Sequence, residues 1–154
     1  MRPTTGTVFV SIANRDKRHA ILPIKVLADI GMRIMATAGT AQVLRRHGID
    51  VTTIRKSYQG IGPNGEPTVV EALMNGEIDL VINTPHGHSQ DGSPRRDGWQ
   101  IRSAAILANV PCVTNVQGLA ACVEGIDALQ RQQAGVRSLQ SWNAAMGEEL
   151  AALI

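Results

Sequence analysis

Aromatic residues are scarce: one Phe, one Tyr and two Trp in 154 residues. A core of this chain must therefore be built from Ala, Val, Ile and Leu, which suits the buried strands of a parallel sheet. Cysteine is also scarce, with only Cys112 and Cys122. Two thiols in segments that read as buried exclude a disulfide scaffold and suggest reduced core residues. No apolar run approaches the roughly 20 residues of a membrane span, and the start, Met1-Arg2-Pro3-Thr4-Thr5, lacks the apolar region of a signal peptide. A cytoplasmic protein is the expectation. No Lys/Arg run is long enough to follow a nucleic-acid backbone; Arg45-Arg46 and Arg95-Arg96 stand isolated, and the net charge is only +2. Nucleic acid and membrane are thus not expected partners.

What remains is a composition 44% hydrophobic and 18% charged, which implies a soluble globular fold. The length fits one domain, 1–154, with a core over 6–130 and a helical tail over 136–154. Short apolar runs alternate with longer amphipathic ones. Thr7–Ile12, Arg33–Ala36, Val51–Ile54, Leu80–Asn83 and Cys112–Thr114 read as strands. A helix after the polar turn Asn14–Lys17 is expected to break or restart at Pro23 and to end near Gly31. Another runs from Thr40 to His47, with Gly48 as its stop. Thr68-Val69-Val70-Glu71 has the form of a capping box, opening a helix to Asn75-Gly76. Asp97 is a candidate cap for a helix to about Asn109, and a further helix spans about Val116 to Leu129. A hinge is expected within Gln130–Arg137. The tail shows Leu139, Trp142, Met146, Leu150 and Leu153 at helical spacing. Five strands alternating with helices predict an α/β fold: an open, parallel, five-stranded sheet in three layers, with helices on both faces.

In such a sheet ligands sit at the carboxyl ends of the strands. Five segments fall there: Ser11–Lys17, Thr37–Thr40, Lys56, Asn83–Pro85 and Thr114-Asn115. The sharpest is Ala36-Thr37-Ala38-Gly39-Thr40-Ala41, where a glycine admits a ligand to the backbone and a helix start offers N–H groups to an anion. Its plain alternative is a βα turn with Thr40 as N-cap. Lys17 and Lys56 follow the first and third strands, so both could clamp a phosphate or merely be solvated. Asn83 could hold a base or sugar, or local backbone. Gly60-Ile61-Gly62-Pro63-Asn64-Gly65 matches a dinucleotide pattern letter for letter but does not join a first strand directly to a helix, and Pro-Asn-Gly is a turn. His86-Gly87-His88, without other ligands nearby, is a poor metal site. No nucleophile paired with a base is visible, so no catalytic residue is assigned.

Together, Thr7–Lys17, Ala36–Ala41, Val81–Pro85 and Ile101–Ala105 resemble the methylglyoxal-synthase-like fold. Within it they are most similar to the C-terminal allosteric domain of carbamoyl-phosphate synthase large subunits, as is Val136–Trp142. The resemblance implies a domain that binds UMP as inhibitor or IMP as activator. It regulates carbamoyl phosphate synthesis for pyrimidine and arginine production. Lys17, Thr37, Gly39, Thr40 and Lys56 would hold the phosphate. Ser11, Asn14, Asn83, Pro85 and Asp97 would flank the ribose and base. No metal or cofactor is implied in the domain itself. The larger enzyme would use ATP with Mg or Mn, a glutaminase small subunit and the rest of the large subunit, and a homo-oligomer is possible. The initial Met just before the first strand suits a fragment.

Three positions depart from the family pattern. Ala38 replaces a His, Pro85 a Thr, and Cys112-Val113-Thr114 a Tyr-Asp-Thr tied to ornithine. Two other readings stand beside this one. A methylglyoxal synthase acting on dihydroxyacetone phosphate would need an aspartate within Gly60–Glu66, where there is none. An assembly domain would bind no nucleotide.

Overall fold

The computed structural model describes residues 6–56, 60, 62, 63, 65–84 and 93–132, and for 93–97 the backbone alone. The strands are β1 (Thr7–Ser11), β2 (Arg33–Ala36), β3 (Thr52–Thr53), β4 (Leu80–Asn83) and β5 (Cys112–Val113). They form one parallel sheet in the order β3-β2-β1-β4-β5. The helices are α1 (Lys17–Ile30), α2 (Ala38–Arg46), α3 (Val69–Met74) and α4 (Ser93–Leu107), followed by α5 over 116–132. A single 3-10 turn, Asn14–Asp16, leads into α1.

Strand alternation divides the core in two. Val8, Val10, Leu80 and Ile82 face α1, α2 and α5, where Ile24, Leu27, Leu44, Leu119 and Val123 complete one cluster. Phe9 and Val81 face α3 and α4, packed with Val69, Leu73, Ile101 and Ala105. Because both faces are covered, the central strands are apolar along their middles, Val8–Val10 and Leu80–Ile82. This is the three-layer parallel architecture expected from the alternating pattern, and the aliphatic core matches the shortage of aromatics. Among the described residues no helix is long and apolar enough to cross a membrane.

The local signals hold in several places. Thr68 and Glu71 form a reciprocal capping box at the start of α3. Gly31 closes α1 in the left-handed region at φ 108°, and Gly48 follows α2 at φ 78°. Between β3 and α3, Gly65 N–H donates to the Gly62 carbonyl and Gly62 N–H to the Glu66 carbonyl, at 3.0 and 2.9 Å.

Other expectations are corrected. The α1 helix runs unbroken through Pro23. Proline withholds one N–H from the carbonyl of His19, an exposed residue, and the packing of Ala20, Ile24 and Leu27 on either side holds the helix together. Thr37, not Thr40, is the N-cap of α2, since Ala41 N–H already bonds the Thr37 carbonyl at 2.8 Å. The α4 helix begins at Ser93, so Asp97 lies inside it rather than capping it. Both outer strands are shorter than read. Cys112 and Cys122 are free but only half-buried. The expected hinge is helical through 132, and the rest of it, with the tail 136–154, lies outside the described residues. So do Pro85, His86 and His88.

Candidate functional site

The parallel sheet brings the carboxyl ends of all five strands to one rim. In register, Ser11 of β1 lies beside Asn83 of β4, and Ala36 of β2 lies between Val10 and Thr53. The rim is lined with buried polar side chains: Ser11, Thr37, Thr40, Asn83 and Thr84 are all at most 6% exposed. A buried polar group needs a partner, and the hydrogen bonds show how these residues shape the loop after β1. Ile12 N–H donates to Thr40 Oγ1 at 3.2 Å, and Ala13 N–H donates to Thr84 Oγ1 at 2.8 Å. Thr84 N–H in turn donates to the Ser11 carbonyl at 3.1 Å. The two hydroxyls thus tie the Ile12-Ala13 backbone to α2 on one side and to the end of β4 on the other. Each retains its own O–H for donation.

The start of α2 is open. Helix geometry leaves the N–H groups of Ala38, Gly39 and Thr40 without intrahelical carbonyls. The Thr37 hydroxyl does not cap them. Above them sits Lys17: its Nζ lies 3.6 Å from where a Cβ on Gly39 would stand. Asn14 Oδ1 accepts from that ammonium at 2.7 Å and holds it in place. Lys17 has its pKa lowered, first by partial burial and second by the nearby positive charge of Lys56. The Lys17 ammonium and the helix N-terminus therefore put positive potential at one spot, with Lys56 near enough to act on Lys17.

The other expected positions distribute as follows. Asn83 is buried at the end of β4, and its Nδ2 donates to the Gly98 carbonyl at 3.5 Å. The Asp97 side chain and Pro85 fall outside the description. Thr114 and Asn115 lie apart from the lysines: they line a cavity of 620 Å³ with Arg15, Asp16, His19 and Gln117, on the β5 side of the rim. There Arg15 pairs with Asp16 at 3.7 Å, and Asn115 caps α5 through Gly118 N–H at 2.5 Å. A second cavity, of 760 Å³, borders Met35, Thr53, Ile54, Pro63 and Pro67 on the α3 side of β2 and β3. Among the described residues no group of three His, Cys, Asp or Glu could hold a metal.

Sequence reasoning gave Thr84 and Arg102 no role of their own, although both lie in segments it singled out, Asn83–Pro85 and Ile101–Ala105. The role of Thr84 exists only through a contact 71 residues away. Arg102 reads as an ordinary helical surface cation. In the fold its guanidinium turns back one helical turn: Nη1 lies 2.9 Å from the position a Cβ on Gly98 would take, with Asn83 Nδ2 3.5 Å from that same point.

A family model described as the MGS-like domain matches residues 19–114. The chain belongs to the MGS-like domain family. The matched span takes in α2, β4 and β5; β1 and Lys17 lie before it. The carbamoyl phosphate synthase large chain of Streptomyces coelicolor is 54% identical over 138 residues, or 90% of this chain and 12% of that protein. The large chain of the same name from Mycobacterium tuberculosis is 52% identical over 147 residues, or 94% of this chain and 13% of that one. The MGS-like domain described here thus spans roughly an eighth of the length of the relatives it matches.

Proposed function

We propose that this MGS-like domain is an effector-binding regulatory unit of a carbamoyl phosphate synthase large chain and that its effector is a nucleoside monophosphate, UMP or IMP. The observation that carries the reading is the Lys17 ammonium poised over Gly39 at the uncapped start of α2, with Lys56 close enough to depress its pKa. A phosphate there accepts hydrogen bonds from the helix N–H groups and from the Thr37 and Thr40 hydroxyls. Ser11 and Asn14 then stand next to the phosphate and ribose, and Asn83 faces the nucleoside. The described part of the rim supplies buried polar binding groups, which suits a site that senses its ligand.

Regulation follows from differential affinity. A nucleotide that binds one state of the longer enzyme more tightly shifts its population toward that state, whatever the distance to the reaction. The synthesis itself would use ATP and a divalent metal elsewhere in the large chain, with ammonia from the small subunit.

Calorimetric titration of UMP and IMP into the chain tests the reading. One saturable site is expected, weakened at least about tenfold by Lys17→Ala, a loss typical of a charge-assisted phosphate contact. Thr40→Ser, which keeps the hydroxyl that accepts from Ile12 N–H, is expected to bind nearly as well as the parent. Absence of saturable binding to the folded chain would sink the nucleotide reading and favour an assembly role. Turnover of dihydroxyacetone phosphate to methylglyoxal would overturn it in favour of a lyase.

A further inference from the structure

The nucleotide reading puts a phosphate at one end of the rim and leaves open what distinguishes one base from another. Sheet order supplies a ruler. The phosphate cradle lies at the end of β2, and Asn83 lies at the end of β4, with β1 between them. Two strand spacings are about 10 Å, which is the length of a nucleoside monophosphate from phosphate to base. The groups at the far end therefore meet the base.

Asn83 is not alone there. The α4 helix crosses the end of β4 closely enough for the Gly98 carbonyl to accept from Asn83 Nδ2 at 3.5 Å. Gly98 has no Cβ, and the Arg102 guanidinium occupies the room this leaves. Both Nη1 of Arg102 and Nδ2 of Asn83 lie within 3.5 Å of the point a Gly98 Cβ would take. An alanine at 98 would press on the guanidinium at 2.9 Å and displace it. A side chain leaning toward the N-terminus of its helix is the usual direction for a long residue, and here that direction is toward the rim.

We propose that Arg102 is the base-discriminating residue of this site, donating to a carbonyl oxygen on the base edge beside Asn83. The assignment rests on the nucleotide reading above. A guanidinium has five donors and no acceptor. It therefore favours a base whose edge presents a carbonyl oxygen, as uracil and hypoxanthine do. An exocyclic amino group in the same place, as in cytosine, sets donor against donor and leaves both unpaired. Gly98 contributes by leaving the space into which the guanidinium folds.

Three probes separate the possibilities by calorimetry on the whole chain: ribose 5-phosphate, UMP and CMP. The parent chain is expected to bind UMP at least about tenfold more tightly than CMP. Arg102→Ala is expected to erase that preference and leave ribose 5-phosphate unchanged. Gly98→Ala, which keeps the charge and favours the helix, is expected to reduce the preference as well; its thermal midpoint shows that it is folded. An unchanged UMP to CMP ratio in Arg102→Ala overturns the assignment while the phosphate site stands. Equal weakening of ribose 5-phosphate and UMP also overturns it, since Arg102 would then serve the phosphate or the fold. A parent chain that binds none of the three removes the nucleotide reading itself, and the assignment falls with it.

Discussion

Lys17 is the residue whose environment says most. Its folded-state pKa lies below the ordinary 10.5 because of burial and Lys56. In the window between the lowered value and 10.5 the unfolded chain binds more protons than the native one, so stability rises with pH there. Below that window the charged lysine weighs against the fold. Lys17→Met is accordingly expected to raise the thermal midpoint slightly, by no more than about 2 °C at neutral pH, while removing phosphate affinity. An anion reverses the shift, so binding takes up a proton as pH rises toward the lysine's pKa. Affinity for UMP is expected to be flat from the second phosphate ionisation near pH ~6 upward, then to fall as Lys17 deprotonates. Lys17→Arg, which stays charged, is expected to lose the alkaline fall in a pH series of titrations. Thr84 makes a different kind of contribution. Thr84→Val keeps the shape but leaves the buried Ala13 N–H without its acceptor, at a cost of about 1–3 kcal/mol. Urea denaturation measures this, and Thr84→Ser, which retains the hydroxyl, is expected to stay near the parent.

At the scale of elements, a helix end is legible in sequence where its cap is a local contract between neighbours. Thr68 and Glu71 satisfy each other's backbone within one turn, and removal of the hydroxyl in Thr68→Ala is expected to cost about 1 kcal/mol in the same denaturation assay. Gly31 meets nothing within 4 Å, yet its φ of 108° is unsuited to a side chain. Gly31→Ala is expected to destabilise by about 1–2 kcal/mol through backbone strain alone. The α2 helix shows the limit of such local reasoning. From sequence, Thr40 reads as the cap; Thr37 takes the position, and Thr40 turns its oxygen to Ile12, 28 residues earlier. Likewise, Pro23 reads as a break, but burial of Ala20, Ile24 and Leu27 on the sheet outweighs one missing hydrogen bond.

For the molecule as a whole, a ligand that binds only the native state must stabilise it. UMP at about 100 times its dissociation constant is expected to add about 2.7 kcal/mol. For a chain of this size that raises the thermal midpoint by roughly 5–10 °C, and Lys17→Ala is expected to lose most of the rise. The parallel fold was readable in advance because period and length are written locally: short β-branched runs between amphipathic ones leave few alternatives to a sheet covered on both faces. The list of rim segments followed from the same rule, since strand ends are points along the chain. What period cannot encode is which loop lies over which. Strand order put Ser11 between the end of β2 and Asn83. Only the packed sheet set Lys17 above Gly39, joined Thr84 to Ala13, and folded Arg102 over Gly98 beside Asn83. Sequence alone determined the elements and their chemistry, because these depend on neighbours a few residues apart. Tertiary structure decided the partners, because contacts between distant segments arise only when burial of the two apolar faces draws the strands into one sheet.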